Sequence, residues 1–139
     1  MDKIGLELSE EELTLMKEAG YSKKAITLYV SQTNVGKLSH PDAVSTCLGP
    51  CGDLVRLYLT IDNCTINDAK FFYLGCPGVA ASVSALTTLL TGKSLDAANK
   101  ITEKDILREL GDLPKSKHDC VKLSIKTLKK TILEYGKIS

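Results

Sequence analysis

The sequence predicts an α+β fold: a three-stranded antiparallel sheet covered on one face by helices, with N-terminal helices preceding the sheet. Two observations indicate this class. Apolar residues alternate with period 2 in the middle of the chain and recur every three or four positions on either side of it. The predicted strands are grouped together, as are the helices that follow them. At 139 residues we expect one domain, 1–139, in which 1–20 form a helical extension.

Helix capping signals open the chain. Ser9 and Glu12 have the spacing of a capping box, and Gly20 is a stop signal, so we predict a short helix from Ser9 to Ala19. Ser22 is placed to cap a second helix, whose apolar side would consist of Ala25, Ile26, Tyr29 and Val30.

The middle of the chain predicts an antiparallel meander. One strand has alternating apolar residues at Val55, Leu57, Leu59 and Ile61. Asp62 and Asn63 form a turn that leads into a second strand, Thr65–Leu74, so that the pair is a hairpin. Ala43–Leu48 supplies a third, edge strand.

Helical periodicity returns after Cys76. An apolar stripe that ends at Gly92 contains Val79, Val83, Leu86 and Leu90. We predict two short helices, Ser94–Asn99 and Thr102–Gly111, because Ser94 and Thr102 are good N-cap residues. A long amphipathic helix from about Asp119 to Tyr135 completes the chain, with apolar residues at Val121, Ile125, Leu128, Ile132 and Tyr135.

Composition excludes several classes of function. The 18 basic and 17 acidic side chains nearly cancel at +1, which argues against a nucleic-acid binder. No run approaches the roughly 20 apolar residues of a membrane span, and the start of the chain is acidic rather than a basic export signal. We therefore expect a cytoplasmic protein with no membrane partner, whose five cysteines are reduced.

Two cysteines occupy predicted helix starts. Cys76 follows a strand directly and precedes Pro77, a favoured first helical residue. Cys120 follows Asp119, the expected cap of the last helix. Because free backbone N–H groups at a helix N-terminus favour thiolate, we expect a thiolate at both positions.

A third cysteine comes from the turn before the central strand, where Cys51 stands two residues from Asp53. The predicted hairpin places Cys51 and Cys76 at the same end of the sheet, and packing of the last helix would bring in Cys120. Three sulfurs and one harder ligand would then form a site, with Asp53, His118 and Asp119 as candidates for that ligand. Each feature also has a structural explanation, since buried cysteines are often apolar fillers and Asp often only caps a helix.

Several motifs in order resemble the IscU/NifU iron–sulfur scaffold family, with its IscU/SufE-like fold. They are Cys51-Gly52-Asp53 before a strand, Gly75-Cys76 opening a helix, Thr91–Ala98 and Lys117–Cys120. Tyr21-Ser22-Lys23-Lys24 and Asn34-Val35-Gly36 resemble the opening segment of the family.

The resemblance implies that Cys51, Cys76 and Cys120 hold a nascent [2Fe–2S] cluster and that Asp53 tunes its release. It also implies that a cysteine desulfurase delivers sulfur to Cys120 and that the cluster, built from iron, passes to apo iron–sulfur or carrier proteins. Such a protein binds and transfers a cluster and is not itself an enzyme. One oxygen or nitrogen ligand in place of a fourth thiolate would leave the cluster loosely held, as transfer requires.

The sequence departs from the family pattern at several positions. Asp119 stands where the family has His before the third cysteine, and His118 comes one residue earlier, so either could be the fourth ligand. The family's chaperone motif is replaced by 113–117, so an Hsp70-type chaperone is not carried over as a partner. Cys47 and Cys64 are additional: Cys47 is a weaker candidate ligand, slightly favoured as an apolar filler, and Cys64 a bystander in the hairpin turn.

Two other functions fit the same residues. A zinc-bound sulfur-transfer protein of SufU type would use the three cysteines with Asp53 as a tetrahedral shell. Proteins of that type carry an extra segment between the second and third cysteines, for which the interval from Cys76 to Cys120 leaves no room. A cysteine-containing interaction module without metal is the remaining possibility.

Overall fold

The computed structural model describes residues 5–50 and 52–138. Two helices, α1 (Glu10–Ala19) and α2 (Lys23–Ser31), precede the strands β1 (Ala43–Leu48), β2 (Leu54–Asp62) and β3 (Thr65–Leu74). The helices α3 (Pro77–Leu90), α4 (Leu95–Ala98) and α5 (Glu103–Leu110) follow, and a 3₁₀ turn (Lys115–Lys117) leads into α6 (His118–Ile138). The predicted α+β class and its element order are confirmed.

The helix caps form where the sequence predicts them. The Ser9 side chain accepts a hydrogen bond from the Glu12 N–H, and the Glu12 carboxylate accepts one from Ser9 N–H, which completes the capping box. Ser22 caps α2 and also donates its hydroxyl hydrogen to the Leu110 carbonyl, which joins α2 to the end of α5. Thr102 and Asp105 form a second capping box at α5.

The sheet is a meander in the order β1-β2-β3, with both pairs antiparallel. Leu48, Leu54 and Leu74 lie opposite one another across the three strands. The β1–β2 turn and the end of β3 therefore lie at one end of the sheet, and the β2–β3 turn lies at the other. This confirms the hairpin and the edge strand.

Helices α3 and α6 cover one face of the sheet, α3 over β3 and α6 over β1 and β2. The face that they cover carries most of the buried strand residues, among them Ala43, Ser45, Cys47, Val55, Leu57, Leu59, Ala69 and Phe71. Helix α3 is buried along most of its length. The opposite face keeps large apolar side chains in contact with solvent, including Leu48 at 65% and Leu74 at 56% exposure.

The start of the last helix differs from the prediction. The 3₁₀ turn runs directly into α6 at His118, so Asp119 is the second residue of the helix rather than its cap. In the 3₁₀ turn the Lys117 N–H donates a hydrogen bond to the Pro114 carbonyl. The helical path of the backbone therefore begins before His118, and no cap at Asp119 is needed. No described helix is both long enough and apolar enough to cross a bilayer.

Candidate metal centre

Cys76 lies at the junction of β3 and α3. It is the N-cap residue of α3 in extended conformation, with Pro77 as the first helical residue, as the sequence predicts. Gly75 before it has a φ of +154°, a conformation that glycine adopts readily. The chain thereby turns sharply from strand to helix and leaves the Cys76 sulfur beside the first N–H groups of α3.

Cys120 comes to the same place from the other end of the sequence. Its Sγ lies 3.8 Å from the Sγ of Cys76, although the two residues are 44 positions apart in the sequence. Cys120 is only 5% exposed and belongs to the hydrophobic core. The two sulfurs form the centre of the site, which we call the thiol pair.

A glycine permits this approach of α6 to α3. A Cβ atom at Gly78 would lie 3.2 Å from Lys117 Cβ and 3.3 Å from Cys120 Sγ. Both distances are tighter than ordinary van der Waals contact. The absence of a side chain at position 78 is therefore part of what brings the sulfurs together.

The thiol pair shares one proton unequally. Cys76 has a pKa lowered to about 5, first because the Cys120 thiol donates a hydrogen bond to it, and further because the N–H groups of Val79 and Gly78 point at its sulfur. The pKa of Cys120 is raised, chiefly because its S–H donates a hydrogen bond to the Cys76 thiolate, which ionisation of Cys120 would break, and because the side chain is buried. The expectation of a thiolate at both helix starts is wrong for Cys120. This residue is the third of α6, and the hydrogen bond to Cys76 together with burial outweighs the effect of the helix N-terminus.

Asp53 borders the thiol pair at the start of β2. A Cβ atom at Gly75 would lie 2.7 Å from the Asp53 Oδ1 atom, so the carboxylate lies against the β3–α3 junction. Its charge contributes to the raised pKa of Cys120. The Asp53 carbonyl accepts a hydrogen bond from Gly49 N–H at 2.8 Å, which closes the β1–β2 turn around it.

Cys51 lies outside the described residues, so its position relative to the thiol pair stays a prediction. Its neighbours Pro50 and Gly52 belong to the turn that connects β1 to β2. This turn lies at the end of the sheet where β3 ends and Cys76 follows. Residues 5–50 and 52–138 contain no group of three His, Cys, Asp or Glu side chains able to hold a metal ion. A metal centre here needs a further ligand beside the thiol pair.

The two remaining candidate ligands differ in environment. The Nε2 atom of His118 is buried and has no hydrogen-bond partner within the described residues. Asp119 is exposed and lies 4.0 Å from Lys122 Nζ, with its side chain 70% accessible. A buried imidazole nitrogen without a partner would gain from ligation, which favours His118 over the exposed Asp119. His118 and Cys120 are two residues apart on α6 and do not share a face of the helix, so the identity of the fourth ligand stays a prediction.

The additional cysteines lie at different ends of the sheet. Cys47 is buried at 5% exposure on the helix-covered face of β1, within the core. Cys64 is exposed in the β2–β3 turn, at the opposite end of the sheet, with a φ of +58°. The burial of Cys47 is consistent with an apolar filler, and its role as a weaker candidate ligand stays a prediction. Cys64 lies at the other end of the sheet from Cys76.

Tyr21 and Lys117 belong to the site and were not recognised as such from their residue types. Burial, together with the neighbouring Cys76 and Cys120, raises the pKa of Tyr21 to about 12, although the Gly78 N–H, which donates to its oxygen, acts in the opposite direction. Lys117 favours ionisation of both cysteines. In the sequence, Tyr21 and Lys117 stand out only because each belongs to a segment that resembles the family, 21–24 and 117–120 respectively.

The spacing of the thiol pair suits one metal ion. Two thiolates bound to a tetrahedral ion at about 2.3 Å lie about 3.8 Å apart, the distance found between Cys76 and Cys120. The Asp53 carboxylate near the pair is an oxygen group of the kind that iron and zinc accept. The two sulfurs therefore suit two positions on a metal ion or an iron–sulfur cluster, and ligation by Asp53 or Cys51 stays a prediction.

A profile of the NifU-like N-terminal domain matches residues 20–139. The iron-sulfur cluster assembly scaffold protein IscU 1 of Archaeoglobus fulgidus is 36% identical over 116 residues, covering 83% of this chain and 76% of its own length. The iron-sulfur cluster assembly scaffold protein IscU of Haemophilus influenzae is 38% identical over 120 residues, covering 83% and 94%.

A solved structure shows the same fold. FiSufU, a SUF-system protein of Fervidobacterium islandicum AW-1, superposes with a TM-score of 0.69 at 22% identity, covering 81% of this chain and 96% of that one.

Proposed function

The chain belongs to the NifU-like N-terminal domain family, and from that premise we propose that it is a scaffold for iron–sulfur cluster assembly. On it a [2Fe–2S] cluster is built from iron and desulfurase-derived sulfur and then transferred to apo-proteins. The cluster is cargo in this role, and the protein binds and transfers it in the cytoplasm without turnover of its own.

The observation that carries the proposal is the separation of 3.8 Å between Cys76 Sγ and Cys120 Sγ. Folding places these two sulfurs at the spacing of ligands to one tetrahedral ion, so part of the entropic cost of ligation is met before iron arrives. Cys51 is the third proposed thiolate, and Asp53 or His118 completes the shell. Mixed ligation of this kind holds a cluster less firmly than four thiolates.

Sulfur delivery follows from the state of the thiol pair. We propose a cysteine desulfurase as the donor, whose persulfide offers its outer sulfur to a scaffold thiolate. The thiolate attacks that sulfur, a new persulfide forms on the scaffold, and the desulfurase leaves with its own thiolate. Cys120, the acceptor that the resemblance indicates, is the protonated member of the pair in the metal-free protein, so it becomes a nucleophile once metal binding displaces the shared proton.

A zinc-bound sulfur acceptor of SufU type is the second candidate. The spacing of the thiol pair and the Asp53 carboxylate suit zinc as well as iron. The two functions differ in what the site holds when iron, sulfide and zinc are all offered.

Anaerobic reconstitution tests the two functions. The protein is purified without oxygen and incubated with ferrous iron, cysteine, a cysteine desulfurase and a thiol reductant that converts persulfide sulfur to sulfide. Visible absorption, iron and acid-labile sulfide are then measured. A scaffold gives a coloured cluster with equal iron and sulfide, whereas zinc alone with no cluster supports the sulfur acceptor. Cys76→Ser should lose the cluster and Cys64→Ser, the matched control at the opposite end of the sheet, should keep it.

A cysteine-containing module without metal would give neither result. In that case Cys76→Ser and the unmodified protein would have the same metal content and the same yield of transferred sulfur.

A further inference from the structure

A groove lies at the opposite end of α3 from the thiol pair. It has a volume of about 460 Å³ and is walled by the end of α3, the α3–α4 turn, α4 and α5. Leu89 on its floor is 13 residues beyond Cys76, which corresponds to about 20 Å along a helix. The groove is therefore separate from the metal centre.

Its floor is apolar and its rim is charged. Leu89, Ala97 and Ile101 form the floor, and the half-buried Leu89 and the exposed Ala97 leave apolar surface accessible. The charged lining residues are Lys93, Lys100, Arg108, Asp105 and Glu109. A ligand that fits must combine an apolar group with charge.

The acids of the rim are already engaged within the chain. Asp105 accepts hydrogen bonds from the backbone N–H and the hydroxyl of Thr102 and lies 3.4 Å from Arg108. Glu109 lies 4.0 Å from Lys24. Within the described residues neither Lys93 nor Lys100 has an acidic atom within 4 Å, so the charge left to a ligand is positive.

We propose that this groove binds an acidic amphipathic segment of a partner protein. An aliphatic side chain of the segment contacts Leu89 and Ile101, and neighbouring carboxylates lie beside Lys93 and Lys100. Complementary charge favours this occupant. The exposed side chains of Ala97, Lys100 and Arg108 leave the groove open on one side, as a polypeptide lying across it requires. A partner bound here leaves the thiol pair accessible.

A titration with a synthetic peptide tests the proposal. The probe is acetyl-Glu-Leu-Glu-Glu-Leu-Leu-Glu-amide, added to the full-length ¹⁵N-labelled protein at low salt. We expect the largest amide shift changes within residues 89–109 and an affinity that falls as salt is added. Shift changes elsewhere, or binding that is insensitive to salt, would overturn the assignment.

Two variants and a matched control identify the groove as the binding site. Lys93→Glu with Lys100→Glu should weaken peptide binding at least tenfold, and Ala97→Trp should weaken it similarly by filling the floor. Lys37→Glu with Lys126→Glu makes the same change in net charge at exposed positions outside the groove and should weaken it less than threefold. Circular dichroism checks that each variant is folded. Equal affinities for the folded groove variants and the control would contradict the proposal.

Two further arms separate this inference from its alternatives. Sodium octanoate, a free amphipathic carboxylate, should bind at least tenfold more weakly than the peptide, and equal affinities would replace the partner segment by a small molecule. Cys76→Ser should bind the peptide as well as the unmodified protein does. Loss of peptide binding in that variant would show that the groove is not independent of the metal centre, and this result does not depend on whether the protein is a scaffold.

Discussion

Cys76 Sγ and Cys120 Sγ lie 3.8 Å apart, one at the start of α3 and the other in the first turn of α6. The contact distributes one proton between two thiols and sets the distance that a bound ion has to bridge. Five predictions follow from this pair and the residues around it.

The pH dependence of alkylation should reveal the thiolate. Because the pKa of Cys76 is about 5, most of this side chain is thiolate at pH 6, and its reaction with iodoacetamide should slow only as the pH falls through 5. Cys120→Ala removes the hydrogen-bond donor, so the pKa should rise and the rate at pH 6 should fall at least tenfold. Peptide-resolved mass spectrometry measures both rates, with Cys64 as an internal standard. An unchanged rate for Cys76 in the variant would show that Cys120 does not stabilise the thiolate.

Gly78→Ala should separate the sulfurs without unfolding the protein. The new Cβ would lie 3.3 Å from Cys120 Sγ and 3.2 Å from Lys117 Cβ, so α6 has to shift outward. We expect zinc affinity, measured by competition with a chelating dye, to fall about tenfold, which is about 1.4 kcal/mol. Gly136→Ala is the control, because a Cβ there meets nothing within 4 Å. Equal zinc affinities in the two variants would disprove the spacing argument.

Gly75→Ala should destabilise the fold through Asp53. The residue has a φ of +154°, and its new Cβ would lie 2.7 Å from Asp53 Oδ1. Strain and the clash together should cost about 1–3 kcal/mol of unfolding free energy, measured with urea. Gly52→Ala, with a φ of +84° and open space around its Cβ, isolates the conformational part. Asp53→Ala should restore part of the loss in a double-mutant cycle, and full additivity would exclude the contact.

Asp53→Ala should retain a reconstituted cluster longer than the unmodified protein does. The carboxylate lies beside the thiol pair and offers a hard, exchangeable ligand that opens the site to an acceptor. The half-life of the cluster during transfer to an apo-ferredoxin, followed by visible absorption, should increase severalfold. Asp119→Ala, which removes an exposed carboxylate, should leave it unchanged. Equal or faster loss from Asp53→Ala would argue against a release function.

The fourth ligand should be distinguishable by paired substitution. His118 has a buried Nε2 atom with no partner among the described side chains, whereas Asp119 faces solvent near Lys122. His118→Ala should lower zinc affinity about tenfold, and Asp119→Ala should change it less than twofold. Cobalt substitution provides an independent readout, since loss of a nitrogen ligand shifts the visible bands. The reverse order of effects would assign the position to Asp119.

Local elements were predictable because their signals are local. The capping box at Ser9, the cap at Ser22 and the stop at Gly20 act within one helical turn, and they form where the sequence places them. The alternation from Val55 to Ile61 predicts the central strand for the same reason. The start of α6 was misplaced by a residue or two, because Asp119 resembles a cap while the 3₁₀ turn before His118 supplies the beginning of the helix.

The sequence by itself determined the order of strands and helices, the two cysteines at helix starts and the family resemblance, since each is a property of neighbouring residues. Only the tertiary structure decided that Cys76 is the thiolate and Cys120 its donor, that Gly78 admits the second sulfur, and that Tyr21 and Lys117 border the pair. The physical reason is the separation in sequence over which each kind of interaction acts. Hydrogen bonds along a helix or strand join residues close in sequence, whereas proton sharing, desolvation and van der Waals contact depend on distance in space, which the packing of α6 against α3 sets.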